Sequence, residues 1–100
     1  MFKHIVVWKL KDFAEGAAKA ENARKMKAIL EELKEKITVI KALEVGININ
    51  GYPDSYDVVL YAEFDNAADF QKYRDHPEHL KGGEFVSKVR LERKTIDYET

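Results

Sequence analysis

Three histidines, His4, His76 and His79, set most of the chemistry open to this 100-residue chain. An imidazole changes charge near neutral pH and suits general base work. Tyr73 lies six residues before His79, and its phenol can hydrogen-bond a carbonyl or an enolate. His4 shares one strand face with Phe2, Val6 and Trp8, where it can bind a substrate oxygen or exchange a proton with a ligand. Each of these residues also has a purely structural reading. His4 can be a buried, hydrogen-bonded histidine. His76 and His79 can cap helix ends, and Tyr73 can be core with its hydroxyl at the edge. Trp8 can stack on an aromatic ligand or simply fill the sheet. Arg93 can hold an anion or pair with a carboxylate across the sheet.

Other chemistries find no support. There is no cysteine, which excludes disulfides, thiol nucleophiles and thiolate metal sites. His76 and His79 stand three apart, but no HExxH pattern or carboxylate–histidine cluster accompanies them, so no metal site is predicted. Ser55 and Ser87 are the only serines, and neither lies in a nucleophile elbow. Gly82-Gly83 is not a phosphate loop. It suits a backbone passing close to a pocket or a neighbouring strand, and it is a candidate break in a helix.

The elements that must position these groups follow from periodicity. Phe2–Leu10 reads as a strand apolar on both faces, which predicts cover on both sides. Residues 15–36 read as a long helix with Met26, Ile29, Leu30, Leu33 and Ile37 in one stripe. Residues 41–50 form a second strand, with Leu43, Val45, Ile47 and Ile49 on one face. The stretch Asn50-Gly51-Tyr52-Pro53-Asp54 is turn chemistry. Residues 57–65 form a third strand, again apolar on both faces. Asn66 is a helix N-cap, and that helix runs to Asp75, where His76-Pro77 stops it. Pro77 can open a second short helix over residues 78–86, and residues 91–98 form the last strand.

One hundred residues make one domain, residues 1–100. The chain carries 17 basic and 18 acidic residues, for a net charge of −1. That balance argues against a nucleic-acid partner, which selects a basic face, and against anionic lipid. No apolar run reaches the roughly 18 to 20 residues of a membrane span. The charged, strand-like N-terminus does not read as a signal peptide, so the expected location is the cytoplasm.

The order β-α-β-β-α-β predicts an α+β, ferredoxin-like subunit: a four-stranded antiparallel sheet with its helices on one face. Ile5, Val7, Val59, Tyr61, Ile96 and Tyr98 then fall on the uncovered face. An apolar patch of that size is a liability for a monomer. The predicted partner is a second copy packed sheet face to sheet face, as a homodimer.

Three stretches carry a family resemblance: Lys3-His4-Ile5-Val6-Val7-Trp8-Lys9-Leu10, His76-Pro77-Glu78-His79-Leu80 and Ile96-Asp97-Tyr98, with Tyr56 to Phe64 between them. Together they resemble the stress-responsive A/B-barrel (Dabb) domain family over nearly the whole chain. The resemblance implies a ferredoxin-like subunit forming a homodimeric α/β barrel, in agreement with the two-faced strands. A plant polyketide cyclase of this family performs a cofactor-free aldol closure. Matching its pocket residue by residue implies catalytic roles here for His79 as base and for Tyr73 and His4 as donors. Strand parity with these groups predicts a ligand-binding wall of Val6, Trp8, Leu60, Ala62 and Arg93. The last strand departs from the cyclase pattern, with Arg93 and Thr95 where that enzyme is aliphatic, which implies a smaller or anionic ligand. No cofactor or metal is called for. The alternative is a non-catalytic, stress-responsive homodimer; a cofactor-free monooxygenase is a third reading that no residue selects.

Overall fold

A computed structural model describes all residues, Met1–Thr100. The elements in chain order are β1 (Phe2–Leu10), β2 (Phe13–Ala14), β3 (Ala17–Ala18), α1 (Lys19–Lys36), β4 (Ala42–Ile47), β5 (Val58–Phe64), α2 (Ala67–Asp75), α3 (Pro77–Val89) and β6 (Arg90–Glu99). The four long strands form one sheet in the order β4-β5-β1-β6, every pair antiparallel. This is the ferredoxin-like α+β fold predicted from the element order.

Strand parity decides which residues meet the helices. Along β1, Phe2, His4, Val6, Trp8 and Leu10 are buried, while Lys3, Ile5, Val7 and Lys9 are half-buried. The same alternation runs through β5, where Val58, Leu60, Ala62 and Phe64 are buried. These rows pack against Met26, Leu30 and Leu33 of α1, Phe70 and Tyr73 of α2, and Val86 and Val89 of α3, in one core. The opposite face carries no helix. Ile5 pairs with both Tyr61 and Ile96, and Val7 with Val59, on that side. Ile96 is 59% exposed and Tyr98 40%.

Three boundaries differ from the sequence reading, each for a local reason. The first helix starts at Lys19, not residue 15, because Glu15 and Gly16 take positive φ values of 50° and 74° and close a two-residue hairpin between β2 and β3. Asn22, fully buried, holds that hairpin by donating from its side-chain amide to the carbonyls of Ala14 and Ala17. The second strand ends at Ile47. Beyond it, Asn48 and Asn50 accept backbone N–H bonds from Asn50 and Tyr52, so local side-chain bonds replace the sheet ladder. The third helix runs unbroken through Gly82-Gly83 to Val89. Gly82 faces Ile29, Leu30 and Leu33 of α1 at 3.5–3.9 Å from where a Cβ would lie. Its small size lets the two helices approach, and that packing outweighs the low helix propensity of two glycines.

Candidate functional site: a cleft between the sheet and the last two helices

The α2–α3 junction is built by caps. Asn66 accepts the N–H of Asp69 at 2.8 Å and starts α2. The next helix follows with no linker: Pro77 occupies its first turn, and the Nδ1 of His76 accepts the N–H of Glu78 at 3.1 Å. His79 then lies one turn into α3, beside the end of α2. Its Nδ1–H donates to the carbonyl of Arg74 at 3.0 Å, satisfying one of the orphan carbonyls that end a helix. Both histidines of the His-Pro-Glu-His segment are therefore structural caps. The cap on His79 also fixes its tautomer. With Nδ1 protonated toward a carbonyl, Nε2 holds the lone pair, and it has no hydrogen-bond partner in the chain.

His4 is fixed in the same way from the other side. It pairs with Asp97 across the β1–β6 ladder, and its Nδ1 donates to the Asp97 carboxylate at 2.5 Å. His4 is 6% exposed. Burial drives its pKa below the ordinary 6.5, outweighing the bond and charge of Asp97 that favour the imidazolium. Burial lowers the pKa of His79 too; the Arg74 carbonyl opposes this, and nearby His4, Arg93 and Arg74 reinforce it. At neutral pH both imidazoles are uncharged. His4 thus presents an acceptor nitrogen to the cleft, and the donor role inferred from the cyclase applies only once it is protonated.

Tyr73 stands between the two imidazoles, with ring centroids 4.4 Å from His79 and 6.2 Å from His4. It is 1% exposed and its hydroxyl makes no hydrogen bond in the chain. Burial pushes its pKa up to about 12. The phenol is therefore a hydrogen-bond donor at all physiological pH values, and not a base.

These groups line a half-enclosed cleft of about 320 Å³. Of the residues expected there, His4, Val6, Trp8, Leu60, Tyr73, His79 and Arg93 form its wall. Ala62 does not: it pairs with His4 across the β1–β5 ladder, has no exposed surface and fills the core behind the imidazole. Five further wall residues are Leu30, Gly83, Val86, Ser87 and Arg90. Leu30 and Val86 belong to the apolar stripes of their helices. Gly83 has nothing within 4 Å of where a Cβ would stand, so it widens the cleft. Asp97 completes the site as the partner of His4, and its strand parity with Arg93 and Thr95 is the signal in the sequence that points to it.

A larger concavity, about 530 Å³, opens on the helix-free face around Val7, Gly46, Ile47, Ile49, Tyr56 and Val59. It holds no imidazole and no cation, and it is contiguous with the uncovered apolar surface. No group of three or more histidine, cysteine, aspartate or glutamate side chains is placed to hold a metal ion. No helix is long and apolar enough to cross a membrane.

The fold has many solved counterparts. A dimeric protein of unknown function and ferredoxin-like fold from Bacteroides fragilis is 35% identical, with a TM-score of 0.84 over 99% of this chain and 95% of that one. A Dabb-family protein from Mesorhizobium loti is 23% identical, with a TM-score of 0.76 over 99% and 95% of the two chains. A hydroxynitrile lyase from Passiflora edulis is 18% identical, with a TM-score of 0.78 over 97% and 90%. No curated protein matches the sequence. Residues 2–100 match the stress responsive A/B barrel domain, and with that match, spanning the whole sheet and every helix, the chain belongs to the Dabb family.

Proposed function

We propose that this protein is a homodimeric barrel whose two clefts bind a small carbonyl compound and move a proton on it without a cofactor. One observation carries the reading: a phenol that stays protonated lies between two neutral imidazoles, each with Nδ1 committed to the protein and Nε2 free. Such a site suits enolisation. The lone pair of His79 Nε2 takes a proton from the carbon beside the carbonyl. The C–H electrons become the C=C bond, and the carbonyl π electrons move to oxygen, which accepts a hydrogen bond from Tyr73. Return of the proton to carbon or to a leaving position regenerates the imidazole. The His4–Asp97 pair is a second proton acceptor, because the carboxylate stabilises the imidazolium that forms. The hydroxynitrile lyase among the structural counterparts supports the fold's capacity for small-molecule chemistry.

Dimerisation is supported by the uncovered apolar sheet face and by the dimeric state of the Bacteroides fragilis relative. A non-catalytic dimer is the second reading, favoured by the capping bonds that give His76 and His79 a structural purpose.

Native mass spectrometry tests the assembly and finds any co-purified ligand: two chains per particle are expected, and a single-chain mass overturns the dimer. Proton NMR in D₂O tests the chemistry. Protein-dependent deuterium uptake beside the carbonyl of small ketones and oxo acids is expected, and is lost in His79→Gln and in Tyr73→Phe. Uptake that survives both substitutions sinks the assigned roles, and no uptake with any carbonyl compound favours the non-catalytic dimer.

A further inference from the structure

The cleft carries two cations whose placement depends on one irregularity in the sheet. Antiparallel pairing of β1 with β6 runs in register from Phe2↔Glu99 to Lys9↔Glu92, and then shifts so that Leu10 pairs with Arg90. Leu91 is the extra residue, a β-bulge, and is 64% exposed. In a regular strand, residues three apart point to opposite faces. Arg90 and Arg93 would then be separated by the sheet. The bulge restores their parity. Arg93 lies opposite Trp8 and Arg90 opposite Leu10, both on the helix-covered side, and both arginines line the cleft. Re-aiming a side chain is a recurrent use of bulges beside functional sites. This one is pinned: the N–H of Leu10 donates to the Asp57 carboxylate at 2.7 Å, and the N–H of Lys11 to the carbonyl of Val89 at 2.9 Å.

Neither arginine has a carboxylate partner. Nine lysine–carboxylate ion pairs form on the chain, and none includes Arg90 or Arg93. Trp8, opposite Arg93 in the register, lines the same cleft, and its buried Nε1–H makes no hydrogen bond in the chain. Arg90 and Arg93 offer donors only, whereas the imidazoles of His4 and His79 in the same cleft offer lone pairs. We propose that the Leu91 bulge builds a two-arginine anion site in the cleft, and that the compound bound there is a carbonyl compound carrying a carboxylate. The guanidinium fork matches a planar carboxylate with two parallel hydrogen bonds. The carboxylate end is held at Arg90 and Arg93, leaving the carbonyl for Tyr73. This assignment rests on the reading of the cleft as a small-molecule site.

Nitrogen-15 NMR titration of the intact protein tests it with three probes: benzoate, its neutral isostere benzamide, and inorganic phosphate. Benzoate is expected to bind at least about tenfold more tightly than benzamide, the range typical of a charge-assisted pair. It should shift the Trp8 indole N–H resonance, and rising salt should weaken it. Arg90→Gln and Arg93→Gln are each expected to lose most of that preference. Deletion of Leu91 makes the two arginines two apart on a regular strand, which keeps both on the cleft side, so the preference should survive that deletion. Should the deletion variant fail to fold, Arg90→Gln alone decides the role of Arg90. Equal binding of benzoate and benzamide, no binding of either, a preference for phosphate, or a preference untouched by Arg90→Gln overturns the proposal. The proton-transfer reading fails separately: a carboxylate preference that survives His79→Gln, with no deuterium uptake by any carbonyl compound, leaves the anion site and removes the chemistry. Uptake by neutral ketones with no carboxylate preference does the reverse.

Discussion

The two faces of the sheet are built from the same strands and have opposite fates. On the helix side, Phe64, Leu60 and Val6 are each 2% exposed or less. On the other side, their immediate neighbours Val59 and Ile96 remain 37% and 59% exposed. Alternation gives both faces apolar side chains, so composition does not separate them. The difference lies in what covers each face. The helix side is completed within the chain, and its gap is lined with polar groups whose bonds fix their protonation. The open side has no cover from its own chain, and its concavity is lined mainly by aliphatic groups and backbone. The first face is suited to recognising a small polar molecule, and the second to meeting another large apolar surface.

The sharpest way to break that contrast is truncation on each side. Phe64→Ala should cost about 3–5 kcal/mol in urea unfolding, as large-to-small changes in closed cores do. Val59→Ala, five residues earlier on the open face of the same strand, should cost clearly less in dilute solution; equal losses would mean the two faces are equally closed.

A charge on the open side is the next test. Ile96→Asp should weaken self-association by at least tenfold, about 1.4 kcal/mol. It should also remove any dependence of the unfolding midpoint on protein concentration, measured by sedimentation and thermal unfolding. An unchanged dimer would move the interface away from this face.

Acidification probes only the helix side. His4 and His79 both titrate below 6.5 in the folded chain because burial disfavours their charged forms. The unfolded chain therefore binds more protons between those depressed values and 6.5. Stability should be fully present above 6.5 and fall as the pH drops through that window. Denaturant midpoints measured across it should decline, and His4→Gln should flatten the decline. An equal slope in His4→Gln would assign it to other groups.

The smallest effect concerns Gly83, a helical glycine beside open space. Gly83→Ala should raise stability by about 0.5–1 kcal/mol through helix propensity. It should narrow the cleft and weaken benzoate at the same time. A stabilised variant with full binding would show that the glycine contributes nothing to the cleft.

Most of this architecture was legible in the residues. The alternation in β1 and β5 and the stripe on α1 fix the layers. Asn66 and His76-Pro77 fix both ends of α2, and the apolar residues left on the uncovered face predict its need for cover. What escaped the sequence is the geometry set between distant segments. Gly82-Gly83 looked like a break because the contact with Ile29 that favours Gly82 comes from another helix. Simple alternation places Arg90 away from Arg93, and only the register shift at Leu91 reunites them. Asp97 and His4 stand 93 positions apart, and pairing of the first and last strands alone makes them a hydrogen-bonded couple. Parity gives the face of Ala62 but not its depth, and the residue lies in the core behind His4.

That pairing of first and last strands has a consequence for how the protein is made. β1 is an interior strand, yet one of its two neighbours, β6, follows every other element of the fold along the chain. Until residues 90–99 emerge, His4 has no carboxylate partner and an interior strand edge stays unpaired. Such long sequence separation slows folding. The nascent chain is expected to hold an open, aggregation-prone edge until residues 90–99 have been made. Loss of residues 90–99 would then remove the arginine wall, the histidine's partner and the closing strand together.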